Sequence, residues 1–228
     1  MSPAHNPHAT EPPDSALLSL FGAPRMQGYL DACGGDPAAA LDLYRWNARI
    51  SGAFWETLGH LEVVLRNVLA GRLAARHAAT GRVGSWLDDT AGELDKRARR
   101  DIATARQRVR AKGKVADEGQ TLTELGFGFW RFLLAKRYAT TLWPDLAGGF
   151  PAAPDRARTT VEQPVTRLHE FRNRLAHHER VWNQPLKARH HDVLTLLGYI
   201  DEDLVDWVTA GCRISTVLAD CPIERPHP

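Results

Sequence analysis

From Asp36 to His77 the sequence holds a single uninterrupted helical pattern, and no other feature limits the fold as strongly. Asp36 and Pro37 form an N-cap and first-turn pair that launches it. Within it Leu58, Leu61, Leu65, Val68 and Leu69 recur at steps of three and four residues, the spacing of one helix face. Phe54, Trp55 and the flanking alanines widen that face. The pattern predicts a long helix central to the core.

The remaining segments fit around such a helix. The opening MSPAHNPHATEPPD has no apolar periodicity and four prolines, so residues 1–14 are expected to form a flexible tail. SALLSLFG precedes APRMQGYLDACGG, in which Pro24 suits a first helical turn and Gly34 and Gly35 a stop. ATGRVGSW reads as a loop. The charged stretch from Asp88 to Lys112 reads as an exposed helix ending at Gly113, and VADEGQ as a further loop. TLTELGFGFWRFLLAKRYATTLW reads as one buried, aromatic-rich helix stopped by Pro144, followed by the turn material LAGGFPAAPD. Another helix is expected from near Pro164 to about Trp182. ARHHDVLTLLGYI and DEDLVDWVTAGCRISTVLADC supply two more, with a break near Asp201. No segment alternates like a strand bounded by turns. The expectation is an all-α helical bundle with one domain over residues 15–221 and a C-terminal tail over 222–228.

At 228 residues and 25.3 kDa the chain can bury a sizeable core. A formal net charge of +2 provides no strong field toward nucleic acid or membrane, so any basic site must be local. The 24 arginines against five lysines suit phosphate and buried ion pairs, although base composition of a genome produces the same skew. Cys33, Cys212 and Cys221 are odd in number and lack zinc-ligand spacing, which fits a reducing cytosol rather than a disulfide framework. No apolar run reaches the roughly 18 residues of a membrane span, and the N-terminus lacks a signal-peptide core. A cytoplasmic protein without membrane association is expected.

One short segment stands apart. Residues 170–183, EFRNRLAHHERVWN, gather arginines, an asparagine and adjacent histidines that no core requires. On a helical wheel Leu168, Phe171 and Leu175 anchor one side, while Asn173 and His177, four residues apart, share the opposite one. Arg172 and His177 are about 140° apart on an ideal helix. A helix distortion, or a second copy packed across a two-fold axis, would be needed to join them. Arginine, a neutral histidine and an amide together suit metal-free cleavage of RNA. Imidazole can exchange a proton with a ribose 2′-hydroxyl or a leaving 5′ oxygen, and arginine can clamp the phosphate as charge builds. DNA lacks the 2′-hydroxyl nucleophile.

The run RNRLAHHERVWN also resembles the RxxxxH signature of the HEPN superfamily, in the RNxxAHHE form of Abi-like, abortive-infection bacterial proteins. The matching residues are Arg172, Asn173, Ala176, His177, His178 and Glu179. Upstream, LYRWNARISGAFWETLGHLEVVLRNVL and GFWRFLLAKRYATTLW resemble the first and middle blocks of that family in the same order. The resemblance spans roughly Leu17 to Cys221. It implies a HEPN-like helical bundle with additional N- and C-terminal helices, forming a homodimer in which the motifs of two protomers share one composite cleft. It further implies a metal-independent endoribonuclease acting in phage defence or as a toxin, with RNA as substrate, no cofactor, and an antitoxin or phage-derived trigger as possible partner. Arg172 and His177 then take catalytic roles and Asn173 and His178 substrate-positioning roles. Glu62, Arg66 and Asn67, on a helix that packs beside the motif helix in HEPN folds, are secondary candidates.

Other readings of the same residues stay open. Arg and His on a helix face are commonly solvated, and Glu62 with Arg66 has the spacing of a simple helix salt bridge. Adjacent His177 and His178 lack the i, i+4 spacing of a helical metal site, and His190 and His191 add no specific acidic partner. A noncatalytic RNA-binding or regulatory helical dimer would use the arginines of Lys96–Lys114 and the motif helix to hold phosphates. A purely structural dimer would use neither.

Overall fold

A computed structural model describes residues 14–224. Of the expected tails over residues 1–14 and 222–228, residues 1–13 and 225–228 lie outside the described residues, and Asp14 opens the first helix instead of ending a tail. Within them the chain is all-α, with eleven α-helices, three short 3-10 turns and no strand. The helices are α1 (Asp14–Phe21), α2 (Ala23–Ala32), α3 (Pro37–Ala79), α4 (Lys96–Ala111), α5 (Glu118–Thr123), α6 (Phe127–Leu133), α7 (Trp143–Leu146), α8 (Arg158–Ala176), α9 (Leu186–Ile200), α10 (Glu202–Gly211) and α11 (Ile214–Ala219). No helix among the described residues is long and apolar enough to cross a membrane.

The described residues divide into two compact units, residues 14–52 with 213–224, and residues 53–212. The 43-residue α3 contributes to both. It starts where Asp36 accepts hydrogen bonds from the backbone N–H groups of Ala38 and Ala39, at 2.9 and 3.3 Å. In the first unit Met26, Tyr29, Leu43 and Ile50 are buried. There the Trp46 indole donates to the Val217 carbonyl at 2.7 Å, tying α11 to α3.

In the second unit Phe54, Leu58, Leu61, Leu65, Leu69 and Leu73 form the buried stripe of α3. Phe171 meets it edge to face on Phe54, with ring centroids 4.9 Å apart. The 3-10 turn Ala147–Gly149 also lies close on α3, where Arg72 donates from Nε to the Asp145 carbonyl at 2.8 Å. Nearby, Glu93 bridges Arg76 at 2.6 Å and Arg82 at 2.9 Å, and Arg76 also pairs with Asp145. The Arg76 bond, aided by Arg82, holds the Glu93 carboxyl below its ordinary range despite burial.

Four expected helices differ from the structure. The last, DEDLVDWVTAGCRISTVLADC, is divided into α10 and α11, because Cys212 is extended between them. The charged helix begins at Lys96 rather than near Asp88, because Asp95 accepts from the Ala98 N–H and caps it, while Asp89 adopts a left-handed conformation. Nor is it exposed all round: Ala98, Ile102, Ala105 and Val109 are buried. The aromatic-rich stretch is broken rather than continuous. Gly126 separates α5 from α6, and Pro144 stands in the first turn of α7, where its missing N–H costs nothing. Finally, α8 begins at Arg158, with Pro164 inside it and its ring buried, and ends at Ala176 instead of Trp182.

Candidate functional site

The C-terminal half of α8 is fixed by Leu168, Phe171 and Leu175, all buried. With that side facing inward, the polar residues of the motif point to different places. Helix termination then sets the histidines. His177 is the C-cap, with its N–H bonded to the Asn173 carbonyl at 3.0 Å. His178 follows in the left-handed region at φ +52°, and its N–H reaches the Leu175 carbonyl at 3.0 Å. The Glu179 N–H returns to the Arg174 carbonyl at 2.9 Å, completing a Schellman arrangement in which His178 occupies the position that glycine usually takes. Both imidazoles are exposed.

Arg172 runs across Trp55 of α3, with its guanidinium carbon 4.8 Å from the ring centroid. Its Nε is buried and makes no hydrogen bond, standing 3.8 Å from Glu62 Oε2. The other oxygen of Glu62 accepts from the Phe127 N–H at 3.0 Å, so the start of α6 holds this carboxylate in place. The Glu62–Arg66 salt bridge allowed by spacing does not form; Arg66 Nε instead donates to Asn67 Oδ1 at 3.3 Å. Glu62 therefore joins Arg172, and Arg66 and Asn67 bond to each other. Asn173 lines an open cleft of about 390 Å³. The arginines around that cleft are already paired: Arg167 and Arg189 both bond Asp192, and Arg174 bonds Glu179 at 2.9 Å.

No hydrogen bond or ion pair joins Arg172 to His177 among the described residues, and α8 continues regularly between them to Ala176. The possible distortion that would unite them within one chain is absent there. Among the described residues no group of three or more His, Cys, Asp or Glu side chains is arranged to hold a metal. His190, weighed as a metal ligand, has its Nε2 3.4 Å from Cys212 Sγ, and burial, with His191 beside it, lowers its pKa.

Two residues beside Arg172 have no site role in the sequence reading. Trp55, expected to widen the apolar face of α3, is 46% exposed instead; it lies seven residues before Glu62 and so on the same side of the helix, a spacing that could have flagged it. His169 lies three residues before Arg172. It is half-buried near Phe127 and Phe132, with ring centroids 6.0 and 6.2 Å away. Burial first, then Arg131 and Arg172, lowers its pKa, disfavouring the protonated ring.

No family model, no curated protein and no solved structure matches this chain.

Proposed function

We propose that this chain is a HEPN-type, metal-independent endoribonuclease of the Abi-like kind, acting on RNA in phage defence or as a toxin. The observation that carries the reading is the environment of Arg172. Its side chain lies along Trp55, its only ion-pair contact among the described residues is the 3.8 Å approach to Glu62, and its Nε makes no hydrogen bond. A cation so lightly engaged keeps its capacity for a phosphate.

In the proposed reaction the ribose 2′ oxygen attacks the adjacent phosphorus and gives its proton to a neutral His177. The new O2′–P bond closes a 2′,3′-cyclic phosphate as the P–O5′ bond breaks. The leaving 5′ oxygen takes a proton from a second, protonated imidazole. Arg172 stabilises the negative charge that accumulates on the phosphate oxygens during this exchange. Because α8 is regular between Arg172 and Ala176, the reading calls for a second copy of the chain, whose motif supplies the facing groups of a composite cleft.

The test is incubation of purified protein with 5′-labelled RNA in EDTA, beside Arg172→Ala and His177→Ala. The expected result is cyclic-phosphate ends from the native protein, no cleavage by either variant, and protection of RNA carrying 2′-O-methyl groups. Equal cleavage by a variant would refute the residue assignment, and loss of activity in EDTA would refute metal independence. RNA that binds but stays intact would favour a noncatalytic RNA-binding role.

A further inference from the structure

Three helices of the second unit, α4, α6 and α8, bring a group of cations to the side of α8 that carries His169 and Arg172. Arg97 of α4 lies over the Phe132 ring with its guanidinium carbon 3.5 Å from the centroid. Arg131 of α6 lies against the same ring at 4.5 Å. Two like charges on one aromatic ring repel each other, while cation–π attraction holds each to the ring face.

Carboxylates do little to neutralise them. Arg131 Nε donates to the Thr166 hydroxyl at 3.2 Å, and Arg131 pairs with no carboxylate among the described residues. The Glu162 carboxylate beyond it accepts from Thr166 at 3.1 Å and faces Arg158 at 3.5 Å. Arg97 approaches only Asp101, at 3.9 Å and largely in solvent. By contrast, Arg82, Arg174 and Arg189 each hold a carboxylate at 2.8–2.9 Å.

His169 sits among these cations. A Cβ on Gly128 would come within 3.1 Å of its Nε2, so the lack of a side chain at Gly128 leaves room for the ring. A neutral imidazole offers one N–H donor without adding a further positive charge to the cluster.

We propose that Arg97, Arg131 and His169 form a phosphate-binding subsite that holds the backbone of a single-stranded RNA beside the phosphate bound at Arg172. The subsite rests on the ribonuclease reading of Arg172 and extends it. The two guanidiniums supply forked donors, the imidazole a third, and Phe132 fixes the forks so that little side-chain freedom remains to be lost on binding. Trp55, 46% exposed beside Arg172, provides a stacking surface for a base of the same strand.

Binding of a fully 2′-O-methylated single-stranded RNA to the full chain, followed by fluorescence anisotropy over a range of KCl concentrations, separates this subsite from cleavage. Arg97→Gln and Arg131→Gln should each weaken binding by about three- to tenfold and reduce the salt slope by about 0.7 for each phosphate no longer neutralised. His169→Gln should weaken binding with less change in slope. Arg45→Gln, at an exposed arginine near the start of α3, should leave both unchanged. Thermal melts check that the variants stay folded, and on cleavable RNA the subsite variants should raise KM while kcat holds. If Arg97→Gln and Arg131→Gln bind like the native protein while Arg172→Ala does not, the subsite is wrong and the Arg172 reading survives. If the native chain fails to bind RNA at low salt, both fall.

Discussion

Arg172 Nε stands 3.8 Å from Glu62 Oε2, a charge contact between α8 and α3 that is too long for a hydrogen bond. Glu62 is held there by another element, since its other oxygen accepts from the Phe127 N–H at 3.0 Å. One carboxylate thus caps the start of α6 and partly offsets the cation of the candidate site.

Those two roles separate by mutation. Glu62→Gln retains an oxygen for Phe127 while removing the negative charge beside Arg172, so RNA affinity should rise with stability almost unchanged. Glu62→Ala leaves the part-buried Phe127 N–H without its acceptor and should cost about 1–2 kcal/mol. Urea unfolding together with RNA binding checks both. An RNA affinity that falls in Glu62→Gln would mean that Glu62 orients Arg172 rather than competing for it.

His178 adopts φ +52°, a conformation that glycine tolerates and other residues enter at a cost. His178→Gly should therefore stabilise the fold by about 0.5–1 kcal/mol through the helix C-terminus alone. If the imidazole positions RNA, the same variant should bind or cleave less well despite the gain. Thermal melting beside an RNA assay separates the two effects, and a more stable variant with native activity would remove His178 from the site.

What the sequence disclosed and what it hid follow from the range of the interactions. The α3 stripe of Leu58, Leu61, Leu65 and Leu69 was legible because a helix face repeats locally, as was the anchoring of α8 by Leu168, Phe171 and Leu175. The sequence points to a start of α8 near Pro164 because proline commonly marks a first turn, whereas Pro164 buries its ring inside a helix that begins at Arg158. The split at Gly126 was not legible from a stretch whose aromatic residues, Phe132 aside, are all buried. Glu62 was visible as a polar residue on the right helix, but its partner is Arg172, far away in sequence, and not the correctly spaced Arg66. His169 had no signature of its own; the packing of α6, with no side chain at Gly128, gives that ring its surroundings.

Gly149 shows how tightly the turn before α8 lies on α3. A Cβ there would stand 2.5 Å from Val68 Cγ1, a branched side chain with little freedom to move away. Gly149→Ala should destabilise the second unit by about 1–3 kcal/mol, and Val68→Ala in the same chain should recover part of the loss. Chemical denaturation of the two single variants and the double variant measures that coupling. Strict additivity would show that the two residues do not meet.

The pH dependence of stability offers a direct view of His169. Burial and the charges of Arg131, Arg172 and Arg97 lower its pKa, and only Glu170 opposes them. The folded chain therefore resists a proton that the unfolded chain accepts near the ordinary histidine pKa of about 6.5. The contribution is complete above that pH and declines as pH falls from it toward the lowered folded value. His169→Gln should flatten this part of the profile, so that the native protein loses more stability than the variant between neutral and mildly acidic pH. His190, whose pKa burial also lowers, should leave a residual slope in the variant, and His169→Gln with His190→Gln should flatten the profile further. Urea midpoints measured at closely spaced pH values report the difference, and parallel profiles for native and His169→Gln proteins would show that the fold does not disfavour the protonated ring.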